Sequence, residues 1–211
     1  MDAPGNDVRA AAPWIAMWYA PRAAMRRVLD RGGRSAWGLA ALLGVSQALD
    51  QAARLDLGNR HGLPAILLGA VLGGAVAGPA FVLVAAALLR WTGSWLGGRA
   101  TAAEVRAALT WGQIPTVSAM PLWVPVLLAG GVQVFRSEPD VPDAAASMTI
   151  LACGLAMAVA AVWGVVTSVA CLAEAQRFSL SRALASLGLA LFVLSIPAGA
   201  VGIAWVALSG R

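Results

Sequence analysis

The chain has 211 residues, of which 60% are hydrophobic and 12% charged. Soluble domains carry roughly 25% charge, so no single water-solvated core absorbs this much apolar surface, and lipid must solvate part of it. The net charge of +5 comes entirely from arginine over acid, because the sequence has no lysine. These arginines flank apolar segments, which points to anionic phospholipid headgroups as partners and away from nucleic acid. Abundant Ala, Gly and Arg without Lys fits a GC-rich bacterial genome.

Residues 1–35 form a charged N-terminal segment with no continuous apolar stretch, so no cleavable leader is read there. Within it, Pro21, Met25, Val28 and Leu29 share one face at helical spacing, while Arg22, Arg26, Arg27 and Arg31 spread around the rest. This pattern predicts an amphipathic helix lying in the membrane interface. Trp14, Trp18 and Tyr19 would anchor it. Each arginine near an anionic surface contributes about 1 kcal/mol.

Residues 36–211 contain five apolar segments, 36–53, 63–89, 112–134, 146–172 and 183–208. Each approaches the length of about 20 residues that a helical span requires. The expected fold is therefore all-α, a polytopic bundle of five transmembrane helices. The first segment is the most polar, with Ser46 and Gln47 inside it and the pair Asp50 and Arg54, one turn apart, at its far end. In the second, Ala65, Gly69, Gly73 and Ala77 form a small-residue stripe beside Ala70, Gly74 and Gly78. Such stripes let backbones approach closely in lipid, either within one bundle or between copies of the chain.

After the second segment, a flexible Gly97-Gly98 leads into Thr101-Ala102-Ala103-Glu104, a capping-box pattern that predicts a short helix over about 102–109. The third segment carries Pro115, Pro121 and Pro125 and should be kinked. In the fourth, Cys153 and Cys171 lie 18 residues apart. At 1.5 Å per residue that is roughly 27 Å along one helix, too far for a disulfide.

Orientation follows from the arginines. With the N-terminus inside, eleven of the 15 fall on the cytoplasmic side, and only Arg54, Arg60, Arg136 and Arg211 fall outside. The loop carrying Glu138, Asp140 and Asp143 is then an acidic outer loop. The bias supports an odd number of spans, which puts the C-terminus in the periplasm of a bacterial inner membrane.

Little chemistry is available. His61 is the single histidine, so no multi-imidazole metal site or catalytic triad can form around it. No Walker loop, HExxH, CxxC or GxSxG occurs. No cofactor is expected. The middle of every segment lacks charge, which argues against a proton-coupled carrier. Arg90 and Glu174 stand at inner ends, as interfacial anchors would.

Three stretches resemble the Yip (Ypt/Rab-interacting protein) domain family of five-span membrane proteins, in particular its bacterial members. Trp18-Tyr19-Ala20-Pro21, followed by Met25-Arg26-Arg27-Val28-Leu29-Asp30, resembles the amphipathic lead-in. Leu96-Gly97-Gly98-Arg99-Ala100-Thr101, with Glu104-Val105-Arg106 and Trp111 to Pro115, is similar to the family's loop, short helix and proline-bearing third span. Arg177-Phe178-Ser179 with Arg182-Ala183 resembles the inner turn before the last span. The chain departs from eukaryotic relatives in having Ala20 in place of a glycine and no acid before Tyr19. Their Rab-binding role is not carried over.

The resemblance implies a membrane-embedded scaffold or membrane-organising protein with no established reaction. On that reading the arginines of the N-terminal helix meet lipid and the glycine stripe packs helices, in a homo-oligomer or with other membrane proteins. The rival reading is a small transporter or channel subunit, in which Gln47 and Asp50 line a path beside the kinked third segment.

Overall fold

The structure is a computed structural model that describes residues 12–33, 36–138 and 143–193. Most of the fifth expected segment, and the acid or arginine expected at Arg9, Arg34, Asp140 and Arg211, lie outside the described residues. All described regular structure is helical. Helices α1 (Pro13–Tyr19) and α2 (Pro21–Asp30) each open on a proline, whose missing N–H would have no helical partner in the first turn. They are followed by α3 (Trp37–Arg54), α4 (Leu63–Trp95), α5 (Ala102–Gly112), α6 (Ile114–Ser118), α7 (Trp123–Gly130) and α8 (Ala144–Gln176). The last described helix is α9 (Leu180–Val193).

Helices α4 and α8 have 33 residues each. At 1.5 Å per residue they run about 50 Å, more than the roughly 30 Å of a hydrocarbon core. Their outward faces are apolar: Leu72, Val76, Phe81 and Val84 on α4, and Leu151, Leu155, Val159 and Val162 on α8, are all exposed. Water would penalise these faces and lipid does not. Among the described residues, three stretches are long and apolar enough to cross a membrane: Leu63–Trp95, Ala102–Phe135 and Ala144–Gln176. Helix α3 is long enough, but Gln47, Asp50, Gln51 and Arg54 lower its hydropathy, and it packs along α4.

The capping box forms. The Glu104 amide donates to Thr101 Oγ1 at 3.3 Å, and the Thr101 amide donates to Glu104 Oε2 at 2.6 Å. The helix it starts does not stop near residue 109 but continues to Gly112 and leads directly into the third apolar segment. That segment is broken, not merely kinked. Pro115 opens α6 as a new helix, Pro121 lies in a 3-10 turn over Met120–Leu122, and a second 3-10 turn over Gly131–Phe135 follows α7. Pro115 and Pro121 sit at the first positions of new helical segments and Pro125 in the first turn of α7, where a missing donor has no helical partner to lose, whereas Pro79 lies within the continuous α4.

The tightest seam joins α3 to α4. Gly44 lies on the Gly74 carbonyl and the Gly78 backbone, and Gly78 lies on the Ala40 carbonyl. A Cβ at any of these three glycines would strike main chain. Glycines 69 and 73, on the neighbouring flank of α4, face open space. Beyond the seam, Leu49, Ile66, Ala70 and Val126 pack around Trp123 and Phe135, whose rings stack with centroids 6.1 Å apart.

Candidate functional site

The N-terminal pair docks onto the bundle at the end where α5 begins and α8 finishes. Ala16 and Met17 of α1, with Ala24, Met25 and Val28 of α2, are buried against Ala107 and Ala108 of α5 and against Ile114, Cys171 and Ala175. The face expected to dip into lipid is thus largely covered by protein. The reason is geometric: small residues on α5 and α8 leave room for Met17 and Met25, and a helix face cannot distinguish lipid from an apolar protein surface. Cys171 Sγ lies 3.7 Å from Met17 Sδ, and both cysteines are free.

Polar contacts fix the docking. Arg22 Nε and Arg26 Nε reach the two oxygens of Glu174, at 3.2 and 2.7 Å. The bond to Glu174 pushes the Arg26 guanidinium further up from its already high pKa. The Trp163 indole N–H donates to the Trp18 carbonyl at 3.1 Å. One carboxylate neutralises only one of its two guanidiniums. Arg22, Arg26 and Arg31 remain exposed together with Trp14, Trp18 and Tyr19, whereas Arg27 is half-buried. This end therefore presents cations and aromatic rings on helices docked against the bundle.

A second cluster closes the same end. Gln176 is buried and its amide donates to the Leu89 carbonyl at 3.0 Å. Gly93 and Gly98 lie directly on that amide, and the Phe178 ring also lies against Gly98. Gly97, with φ of +85°, makes the turn that brings Gly98 there. Of the expected Gly97-Gly98 lead-in, Gly98 is packed in the turn, whereas Gly97 is exposed with open space beside it. Helix α8 ends on Arg177 in the left-handed region, with the Phe178 amide bonded to the Ala173 carbonyl at 2.8 Å. Nothing local in the sequence pairs Gln176 with Gly98, 78 positions away, or Glu174 with Arg22. The only hint was an acid at a span end facing a run of arginines.

The remaining candidates lie in two clefts. One, about 590 Å³, is lined by Gln47, Gln51 and Gln113 and floored by the small residues of α4, including Gly69, Gly73, Gly74 and Gly78. The other, about 340 Å³, contains Gln47, Asp50, Arg54 and Thr116 with Trp123. Gln113 joins the walls: its amide donates to Ser168 Oγ at 3.1 Å and its carbonyl accepts from Thr116 Oγ1 at 2.9 Å. Arg90 lines a separate cleft with Arg99 and Trp91.

Long lipid-facing helices and a backbone seam built on glycine define a helical membrane protein. The Yip1 domain family model matches residues 15–203, most of the chain, and the chain belongs to that family. No curated protein and no solved structure matches it.

Proposed function

We propose that this chain is a non-enzymatic, five-span, bacterial inner-membrane protein, with its N-terminus cytoplasmic and its C-terminus periplasmic. It organises membrane through helix association and through contact between its docked N-terminal helices and anionic phospholipids. The observation that carries this reading is the Glu174 clasp, which holds Arg22 and Arg26 in place but leaves an excess of positive charge beside Arg31 and three exposed aromatic rings. Arginine at a membrane surface attracts anionic lipid, and aromatic rings settle at the same depth. The open flank of the stripe, at Gly69 and Gly73, supplies a face for a second copy or another membrane protein.

The test is lipid retention and oligomeric state in mild detergent. Replacing Arg22 and Arg31 by Gln is expected to lower co-purified anionic lipid while leaving the melting temperature unchanged. A strictly monomeric protein whose lipid content ignores these changes would sink the proposal. A second reading, a conduit, draws on Gln47 lining both clefts. Solute flux into liposomes that Asp50→Asn abolishes would favour it, and silence across a broad solute panel would remove it.

A further inference from the structure

We infer that the cleft at the C-terminal end of α3, walled by α6, α7 and α8, binds an ethanolamine phosphate group, an ammonium and a phosphate carried together. Ser46, Gln47, Asp50 and Arg54 all enter this cleft from α3, spaced so that they share one helix face. Opposite them stands Trp123, which is 6% exposed and whose indole N–H is buried with no hydrogen-bond partner among the described residues. An indole N–H can only donate, and a buried donor left unmade carries its full desolvation penalty. Among the described residues this donor has no acceptor, although Ser46, Gln47, Asp50 and Thr116 line the same cleft. Its volume of about 340 Å³ lies within the usual range for ligand sites.

Charge narrows the class. A lone anion would suit Arg54 and Trp123 but meet Asp50, and a lone cation would suit Asp50 but meet Arg54. A ligand carrying both signs satisfies all three, its phosphate accepting from Arg54 and Trp123 and its ammonium donating to Asp50. A primary ammonium does this by hydrogen bonding, which a quaternary choline cannot. The α8 wall adds direction. Gly154, Ala158 and Ala161 line the cleft, are exposed, and recur on one face of α8, and a side chain on Gly154 would meet nothing within 4 Å. That shallow apolar groove is open to the lipid-facing side and suits an acyl chain.

The experiment is native mass spectrometry of the delipidated full chain offered phosphatidylethanolamine, phosphatidylcholine or phosphatidylglycerol in mixed micelles. Phosphatidylethanolamine is expected to be retained about tenfold more than either competitor, the worth of one charge-assisted hydrogen bond. Arg54→Gln and Trp123→Phe should each remove about that factor, and Asp50→Asn should erase the preference over choline. Elution volume and melting temperature identify any variant that misfolds, and Arg54→Gln and Asp50→Asn suffice if Trp123→Phe does. Soluble glycerophosphoethanolamine separates the sources. If it binds as well as the diacyl lipid and Gly154→Leu has no effect, the ligand is a free solute bearing the group. If only the diacyl form binds and Gly154→Leu weakens it, the ligand is the lipid. Equal retention of all three lipids, or retention that ignores every cleft variant, overturns the assignment.

Discussion

Glu174 is the residue on which the N-terminal docking turns, because its carboxylate is shared by two guanidiniums from a helix about 150 positions away. Both arginines are solvent-facing, so the clasp is screened by salt and acts on position more than on global stability. Glu174→Gln is therefore expected to speed tryptic cleavage after Arg22 and Arg26 several-fold, with the bundle's melting temperature nearly unchanged. Unaltered cleavage would mean that Met17, Met25 and the Trp163 bond hold the pair alone. The Gln176 turn behaves differently. Gly98→Ala places a methyl on a buried amide and an aromatic ring, which should destabilise the protein by about 1–3 kcal/mol, seen as a lower melting temperature in detergent. Local chemistry such as the Thr101–Glu104 capping box was legible because its two partners are three residues apart. Gln176 was not, because its meaning depends on a turn that only the fold brings near.

At the level of whole helices, the glycine-rich α4 has two flanks with opposite tolerance. Gly78→Ala meets the Ala40 carbonyl on the α3 side and should separate the helices, whereas Gly73→Ala meets nothing within the chain and should leave the stability of the single chain unchanged, or raise it by about 0.5–1 kcal/mol through helix propensity, its effect falling on association instead. Detergent melting curves of the two variants, measured side by side, check this, and equal losses would contradict the seam. The four-residue spacing announced that the helix approaches something closely. It could not say which flank, because both read as small. The prolines of the third segment likewise predict a kink, but not that the short helix beginning at Ala102 runs on into that segment. The apolar face of α2 was legible as a face, and the covering was not: to a methionine, an alanine-lined groove and an acyl chain are equivalent surroundings.

For the molecule as a whole, the contacts place α2, the start of α5 and the finish of α8 at one end, and the Asn59–Ser137 hydrogen bond of 2.8 Å at another. In a background of Cys153→Ser and Cys171→Ala, cysteines introduced at Arg31 and Arg182 should react with an impermeant thiol reagent from one side of the membrane, and those at Asn59 and Ser137 from the other. Labelling of all four from the same side would refute a chain that crosses the bilayer between them. Hydrophobic segments were readable at this scale because length and apolarity suffice to find them. Helix α3 was the hard case, since its polar face lowers the very quantity by which a span is recognised.

The shared carboxylate has a consequence for how the protein meets different bilayers. Lipid phosphates are rival acceptors for the same two guanidiniums, so the clasp and the surrounding leaflet compete for one set of donors. Raising the fraction of acidic lipid should draw Arg22 and Arg26 outward and loosen the N-terminal pair. A leaflet poor in it should leave the latch shut, giving the chain a built-in gauge of surface charge.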